Sequence, residues 1–167
     1  TSVDPGEWIP YEKKAIAQRG DLLSMAQVAT RIQKGGIDTF LEFINDRNYG
    51  PAFFLNDIES KVTANSDNLI LTLYKPAQPL AWAFKAASWG HENFPNPDFD
   101  ELRHTLTGYL AVEKWGVETA TDLTMGNEML GLWLDIRTPG PGTAFEWRDV
   151  LNNYSGISLW KRNNNAK

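Results

Sequence analysis

Cysteine is absent from the 167 residues. Structural disulfides, thiolate metal sites and cysteine nucleophiles are therefore excluded, although a compartment is not identified by that absence. Histidine is scarce: His91 and His104 are the only two. No apolar run approaches the 18 or so residues of a membrane span, so a transmembrane chain is excluded. Positive charge is in deficit, with 16 Lys and Arg against 21 Asp and Glu for a net charge of −5. Most of the surface should repel a phosphate backbone, and nucleic acid is not an expected partner. The phosphate-cradling GxxxxGK[ST] and GxGxxG loops, the GxSxG nucleophile elbow, HExxH and EF-hand spacing are all missing. Nothing points to a cofactor.

Hydrophobic residues make up 42% of the chain and charged residues 22%, an ordinary globular balance that excludes a wholly disordered chain, a collagen or a coiled coil. The length fits one domain. Its expected parts are an arm over 1–20, a helical segment over 21–47, a mainly β body over 51–162 and a frayed tail over 163–167. The chain begins at Thr1 rather than Met, which fits removal of a leader or tag. A secreted or exported protein is the expectation, with a cytoplasmic location left open.

Helical signals fill 21–47. Leu22, Leu23, Met25, Ala26, Ala29 and Ile32 fall on one side at 100° per residue, with Ser24, Arg31 and Lys34 opposite. Gly35-Gly36 interrupts the pattern, and Ile37, Phe40, Leu41 and Ile44 resume it at i, i+3, i+4 and i+7. Asp21 or Gly20 can cap the start; the Arg19-Gly20-Asp21 tripeptide is read as part of that capping. Such a helix ordinarily docks on its own protein. A hinged one can instead enter a membrane interface, and Leu22, Met25, Ile32, Ile37, Phe40, Leu41 and Ile44 would be its inserting residues.

Beyond Gly50-Pro51, short apolar runs predict strands at Ala52–Leu55, Leu69–Tyr74, Leu80–Ala87, Leu106 to about Gly116, Met129–Ile136, Phe145–Val150 and Ile157–Lys161. Pro76 and Pro79 are read as closing a strand, and residues 88–101, with Pro95 and Pro97, as a loop. The expected fold class is α+β: N-terminal amphipathic helices followed by an antiparallel β-sandwich.

Two groups of residues could carry function. His91 and His104 bracket Glu92, Asp98, Asp100 and Glu101. Two imidazoles beside carboxylates can act as an acid–base pair, so His91, Asp98, Glu101 and His104 are the catalytic candidates. They can also bind a divalent ion, or form only a solvated acidic loop; no metal ligand set is assigned. The other group is aromatic. Seven tryptophans are unusual in a chain of this length. Trp82, Trp133 and Trp160 suit core packing. Trp89 and Trp147 adjoin Pro/Gly-rich stretches, and loop-borne aromatics suit sugar stacking or a lipid headgroup boundary. Trp89, Phe94, Pro139, Phe145 and Trp147 are the candidate ligand-binding residues.

Thr107-Gly108-Tyr109-Leu110-Ala111-Val112, then Gly126-Asn127-Glu128-Met129-Leu130-Gly131-Leu132-Trp133, then Pro139, Phe145 and Trp147 resemble the actinoporin-like cytolysins and the lectins that share their β-sandwich. The resemblance covers about a quarter of the chain. It implies that Pro139, Phe145 and Trp147 touch a headgroup and that residues 22–44 insert. The family's loop is rich in tyrosine, whereas 138–147 has none, and this chain is acidic where the family is often basic.

The leading expectation is a non-enzymatic membrane- or glycan-binding domain, extending to a pore-forming cytolysin, with lipid or glycan as partner. One alternative is a structural or interaction subunit, either a homo-oligomer or part of a larger assembly. A second is an enzyme or metal-binding protein built on the His91/His104 acidic cluster.

Overall fold

The computed structural model describes residues 22–62, 74–124 and 147–165. Among these residues every regular element is helical. In chain order they are α1 (Met25–Asn45), α2 (Gly50–Glu59), α3 (Gln78–Asn93), α4 (Asp100–Trp115), α5 (117–124) and α6 (Trp147–Asn165), with 3₁₀ turns at Lys75–Ala77 and Pro97–Phe99. The expected antiparallel β-sandwich is therefore overturned, and with it the resemblance to actinoporin-like cytolysins and lectins. Thr107–Val112, quoted for that resemblance as a strand, lies inside α4. Residues 126–133, Pro139 and Phe145 lie outside the described residues, and Trp147 opens α6.

The reason for the correction is visible in each element. Ala52–Leu55 belongs to α2, which buries Phe54 and Ile58 at i, i+4. Leu80–Ala87 belongs to α3, whose buried face of Ala81, Trp82, Ala86, Trp89 and Gly90 follows the 3.6-residue period. Pro79 sits in its first turn, where a missing N–H costs nothing and the fixed φ favours entry, so it opens a helix and does not close a strand. Pro51 does the same for α2. Ile157–Lys161 belongs to α6. Of the proposed strand Leu69–Tyr74, only Tyr74 is described; Met129–Ile136 and residues 145–146 of the strand Phe145–Val150 also lie outside the described residues, and Trp147–Val150 is helical.

α1 starts at a reciprocal cap: Gln27 N–H donates to Ser24 Oγ at 3.2 Å, and Ser24 N–H donates to Gln27 Oε1 at 2.9 Å. Its axis breaks at Gly36 (φ 68°, ψ −150°), a conformation that only glycine adopts readily. α4 is the central helix. Thr105, Leu106 and Gly108–Val112 are buried on nearly every side, because α1, α2, α3 and α6 all touch it. Asp100 and Glu101 in its first turn and Lys114 in its last complement the helix dipole.

The core is joined by edge-to-face aromatic pairs. Phe43–Tyr49, Tyr49–Phe53 and Phe53–Phe54 have centroids 5.0, 5.1 and 5.4 Å apart. Phe54 continues to Phe40 at 5.2 Å and Trp89 at 6.3 Å, and Phe40 continues to Tyr109 at 5.3 Å. α1, α2, α3 and α4 thus share one interlocked set of rings.

α6 lies across α4 at a glycine contact. Gly156 faces Gly108, so closely that a β-carbon at Gly156 would sit 2.9 Å from Gly108 Cα and 2.7 Å from Tyr109 N. Polar bonds hold the same pair. Trp160 Nε1 donates to Glu113 Oε1 at 2.8 Å, and Asn163 Nδ2 donates to the Tyr109 hydroxyl at 2.8 Å. Asn163 also bonds Asn45 of α1, its Oδ1 accepting from Asn45 Nδ2 at 3.0 Å. The Asn-rich end expected to fray is helical through Asn165.

Candidate functional site

The α3–α4 corner assembles most of the polar candidates. α3 ends because Pro95 and Pro97 lack N–H groups and bar their predecessors from helical conformation. Phe94 caps it, donating its N–H to Gly90 O at 2.9 Å. Asn96 Oδ1 then accepts from Asp98 N–H at 2.9 Å and shapes the turn into α4.

Arg103 fixes this corner, and sequence reading missed it. Its guanidinium is buried, and Nη1 donates to Phe94 O and to Asn96 O, the latter at 3.0 Å. Nη2 meets Asp100 Oδ1 at 3.0 Å. A buried cation needs such partners, and here they are backbone carbonyls of the turn that follows α3, that of Asn96 also accepting from Phe99 N–H at 2.9 Å. The available signal was Asp100-x-x-Arg103 immediately after a Pro-rich break, an i, i+3 pair on one helix face.

The structure redraws the histidine cluster. His104 Nε2 lies 3.5 Å from Asp100 Oδ1, at i, i+4, which adds Asp100 to the group. Glu101 and Asp98 are exposed. His91 is exposed in the last turn of α3, within electrostatic reach of Arg103, Asp100 and His104. Burial of part of its ring lowers its pKa below the ordinary 6.5; Arg103 lowers it further, Asp100 opposes that, and His104 adds a small lowering. Among the described residues no group of three or more His, Asp or Glu is placed to hold a metal.

The candidate ligand-binding aromatics divide differently. Trp89 is on a helix, not a loop, and it and Phe94 are each 0% exposed, with rings 5.9 Å apart. Neither offers a free face to a sugar or a headgroup. Pro139 and Phe145 lie outside the described residues, as does the Trp147 side chain. Of the residues expected to insert, Ile32, Phe40 and Ile44 are buried in the core. Met25, Ile37 and Leu41 pack partly buried against it, and only Leu22 stands half exposed. No described helix is long and apolar enough to cross a membrane.

Among the described residues the fold is a helical bundle in which Arg103 fixes the exposed turn between α3 and α4. Comparison of the chain with protein-family models, with curated proteins and with solved structures finds no match.

Proposed function

We propose that this chain is a non-enzymatic interaction domain, a helical subunit that docks another protein on the exposed turn between α3 and α4. One observation carries the reading: a buried Arg103 ties the backbone of Phe94 and Asn96, while Pro95, Asn96, Pro97 and Asp98 stay exposed. A turn already fixed in the free protein loses little conformational entropy when a partner covers it. Of the carboxylates around it, Glu92 is paired with Lys61 and Asp100 with Arg103, while Asp98 and Glu101 stand exposed, so a partner surface carrying Lys or Arg is the complementary one.

A Lys/Gly decapeptide titrated into the ¹⁵N-labelled protein tests this. Amide shifts confined to 91–104, and lost in Asp98→Lys with Glu101→Lys, are expected. Equal shifts at Glu42 and Glu118, or none anywhere, would reject the turn as a docking site.

A second reading, membrane association, draws support from the break in α1 at Gly36, which supplies a hinge. It requires Ile32, Phe40 and Ile44 to leave the core before they can meet lipid. Dye-loaded mixed-lipid vesicles test it directly. A blue shift in tryptophan emission with dye release would favour insertion, and neither signal across lipid compositions would remove the reading.

A further inference from the structure

The end of α3 is held from two sides. Arg103 of α4 takes the carbonyls of Phe94 and Asn96. The carbonyl just before them, Asn93 O, accepts from Gln33 Nε2 of α1 at 2.7 Å, across 60 positions of sequence. Asn93 is fixed further by its own side chain, whose Nδ2 donates to Trp89 O at 2.9 Å. Gln33 and Asn93 are both half-buried, so their bond is partly shielded from competing water. Three helices therefore meet where the exposed turn begins. α3 supplies its last carbonyls, and α4 and α1 supply donors.

The sequence of α1 explains why Gln33 arrives there. Its buried residues fall in two groups: Val28, Ala29, Arg31 and Ile32 before the break, and Phe40, Phe43 and Ile44 after it. On an unbroken helix these two faces would point roughly a quarter turn apart. Gly36 takes up that offset, and each half then lays its own face on the core. A β-carbon at Gly36 would meet nothing within 4 Å, so the position needs glycine for its backbone and not for space. The N-terminal half is thus seated on its own terms, and it carries Gln33 to the end of α3.

We propose that Gln33 is a positioning residue for the docking turn. Through Asn93 it fixes the backbone that enters 94–99, and it ties docking there to the seating of the N-terminal half of α1. The tie to docking rests on the turn being the docking site; the anchoring of the turn does not. Helix ends leave carbonyls that need donors, and Gln33 supplies one from a neighbouring helix. Without it the backbone at 93–94 has one anchor fewer and opens more often. A turn that samples more conformations must be ordered when a partner covers it, and that ordering weakens binding.

Amide hydrogen exchange on the protein alone, at one fixed pH, reads the anchor. The reporters are Phe94, which donates to Gly90 O, and Phe99, which donates to Asn96 O, each at 2.9 Å. Gln33→Met keeps the length of the side chain and loses the donor. Protection at both amides should then fall roughly two- to tenfold, the scale of one hydrogen bond. Gln33→Lys returns a donor suited to a helix C-terminus and should recover most of that protection. Gly116, which donates to Val112 O at the far end of α4, should not respond. The Lys/Gly decapeptide should bind Gln33→Met more weakly than wild type, by a similar factor. Unchanged protection in Gln33→Met, an equal loss at Gly116, or no recovery in Gln33→Lys would each overturn the anchor. Undiminished peptide binding by a loosened turn would overturn the tie to docking. A wild type that ignores the decapeptide while Gln33→Met still loosens the turn would reject the docking site and support the anchor.

Discussion

Gly156→Ala is expected to destabilise the protein although alanine is the better helix former. The new β-carbon would meet Thr105 O, Tyr109 N at 2.7 Å and Gly108 Cα at 2.9 Å. All three are backbone atoms of α4, so no side chain can rotate away. Ordinary contact begins near 3.4 Å, which obliges α6 to lift by at least about 0.7 Å at Tyr109 N. That lift strains the Asn163–Tyr109 and Trp160–Glu113 bonds, each 2.8 Å long. Overpacking of this kind costs about 1–3 kcal/mol, and a purely backbone clash belongs at the upper end. The gain in helix propensity returns about 1 kcal/mol. The net loss is about 2 kcal/mol, or a fall in Tm of about 4–8 °C for a chain of this size. Urea unfolding followed by circular dichroism at 25 °C, with a thermal scan beside it, measures both. Gly35→Ala is the control. Its β-carbon would meet Thr39 Oγ1, which can rotate away, and Thr39 Cβ at 2.9 Å, which cannot, but no backbone atom of another helix, so its loss should be smaller than that of Gly156→Ala. If Gly156→Ala matched or exceeded the wild type, the close α4–α6 contact would be wrong.

Other substitutions probe other parts of the bundle. Trp89→Ala removes a fully buried ring that touches Phe54 and Phe94, and should lower stability by about 3–5 kcal/mol in urea unfolding. Gly36→Ala meets no steric neighbour, yet it should cost about 1–3 kcal/mol from backbone conformation alone, read from the same unfolding curves. Burial raises the phenol pKa of Tyr49 and of Tyr109 above 10, so the stability each contributes is complete below that pH and is lost as the pH climbs through the native value. Tyr109→Phe should therefore flatten the alkaline limb of the stability profile, and an unchanged slope above about pH 10 would assign that limb elsewhere.

The second half of the first amphipathic segment was legible because its spacing is regular, whereas in the first half Arg31, expected on the polar face, is buried and Leu22 and Ala26 are exposed. Ile37, Phe40, Leu41 and Ile44 repeat without interruption on a face that the core covers, and the Gly-Gly pair marks the break at Gly36. Later segments misled for three physical reasons. Runs such as Leu80–Ala87 are too short for periodicity to separate a buried helix from a strand, and their aromatics favour sheets in the abstract. Proline was weighed as a terminator, whereas Pro51 and Pro79 occupy first turns, where the ring is an advantage. In α4 the helical period is hidden, because a helix covered on several sides is apolar around much of its girth. The site was legible only as composition. His91 and His104 stand out in the sequence with Asp98 and Glu101 as candidate carboxylates, whereas Arg103 and its pairing with Asp100 emerge only once the carbonyl partners of the guanidinium are placed.

The interlocked rings of the core have a consequence for timing. Phe40 and Phe54 are fully buried, with each ring edge wedged against a neighbour's face. A half-turn of either ring sweeps out space that its neighbours fill, so it must wait for those neighbours to part. Slow ring flips would leave the two sides of each Phe magnetically distinct. The rate at which those paired resonances merge on warming would then clock the opening of the interior, with no mutation and no denaturant.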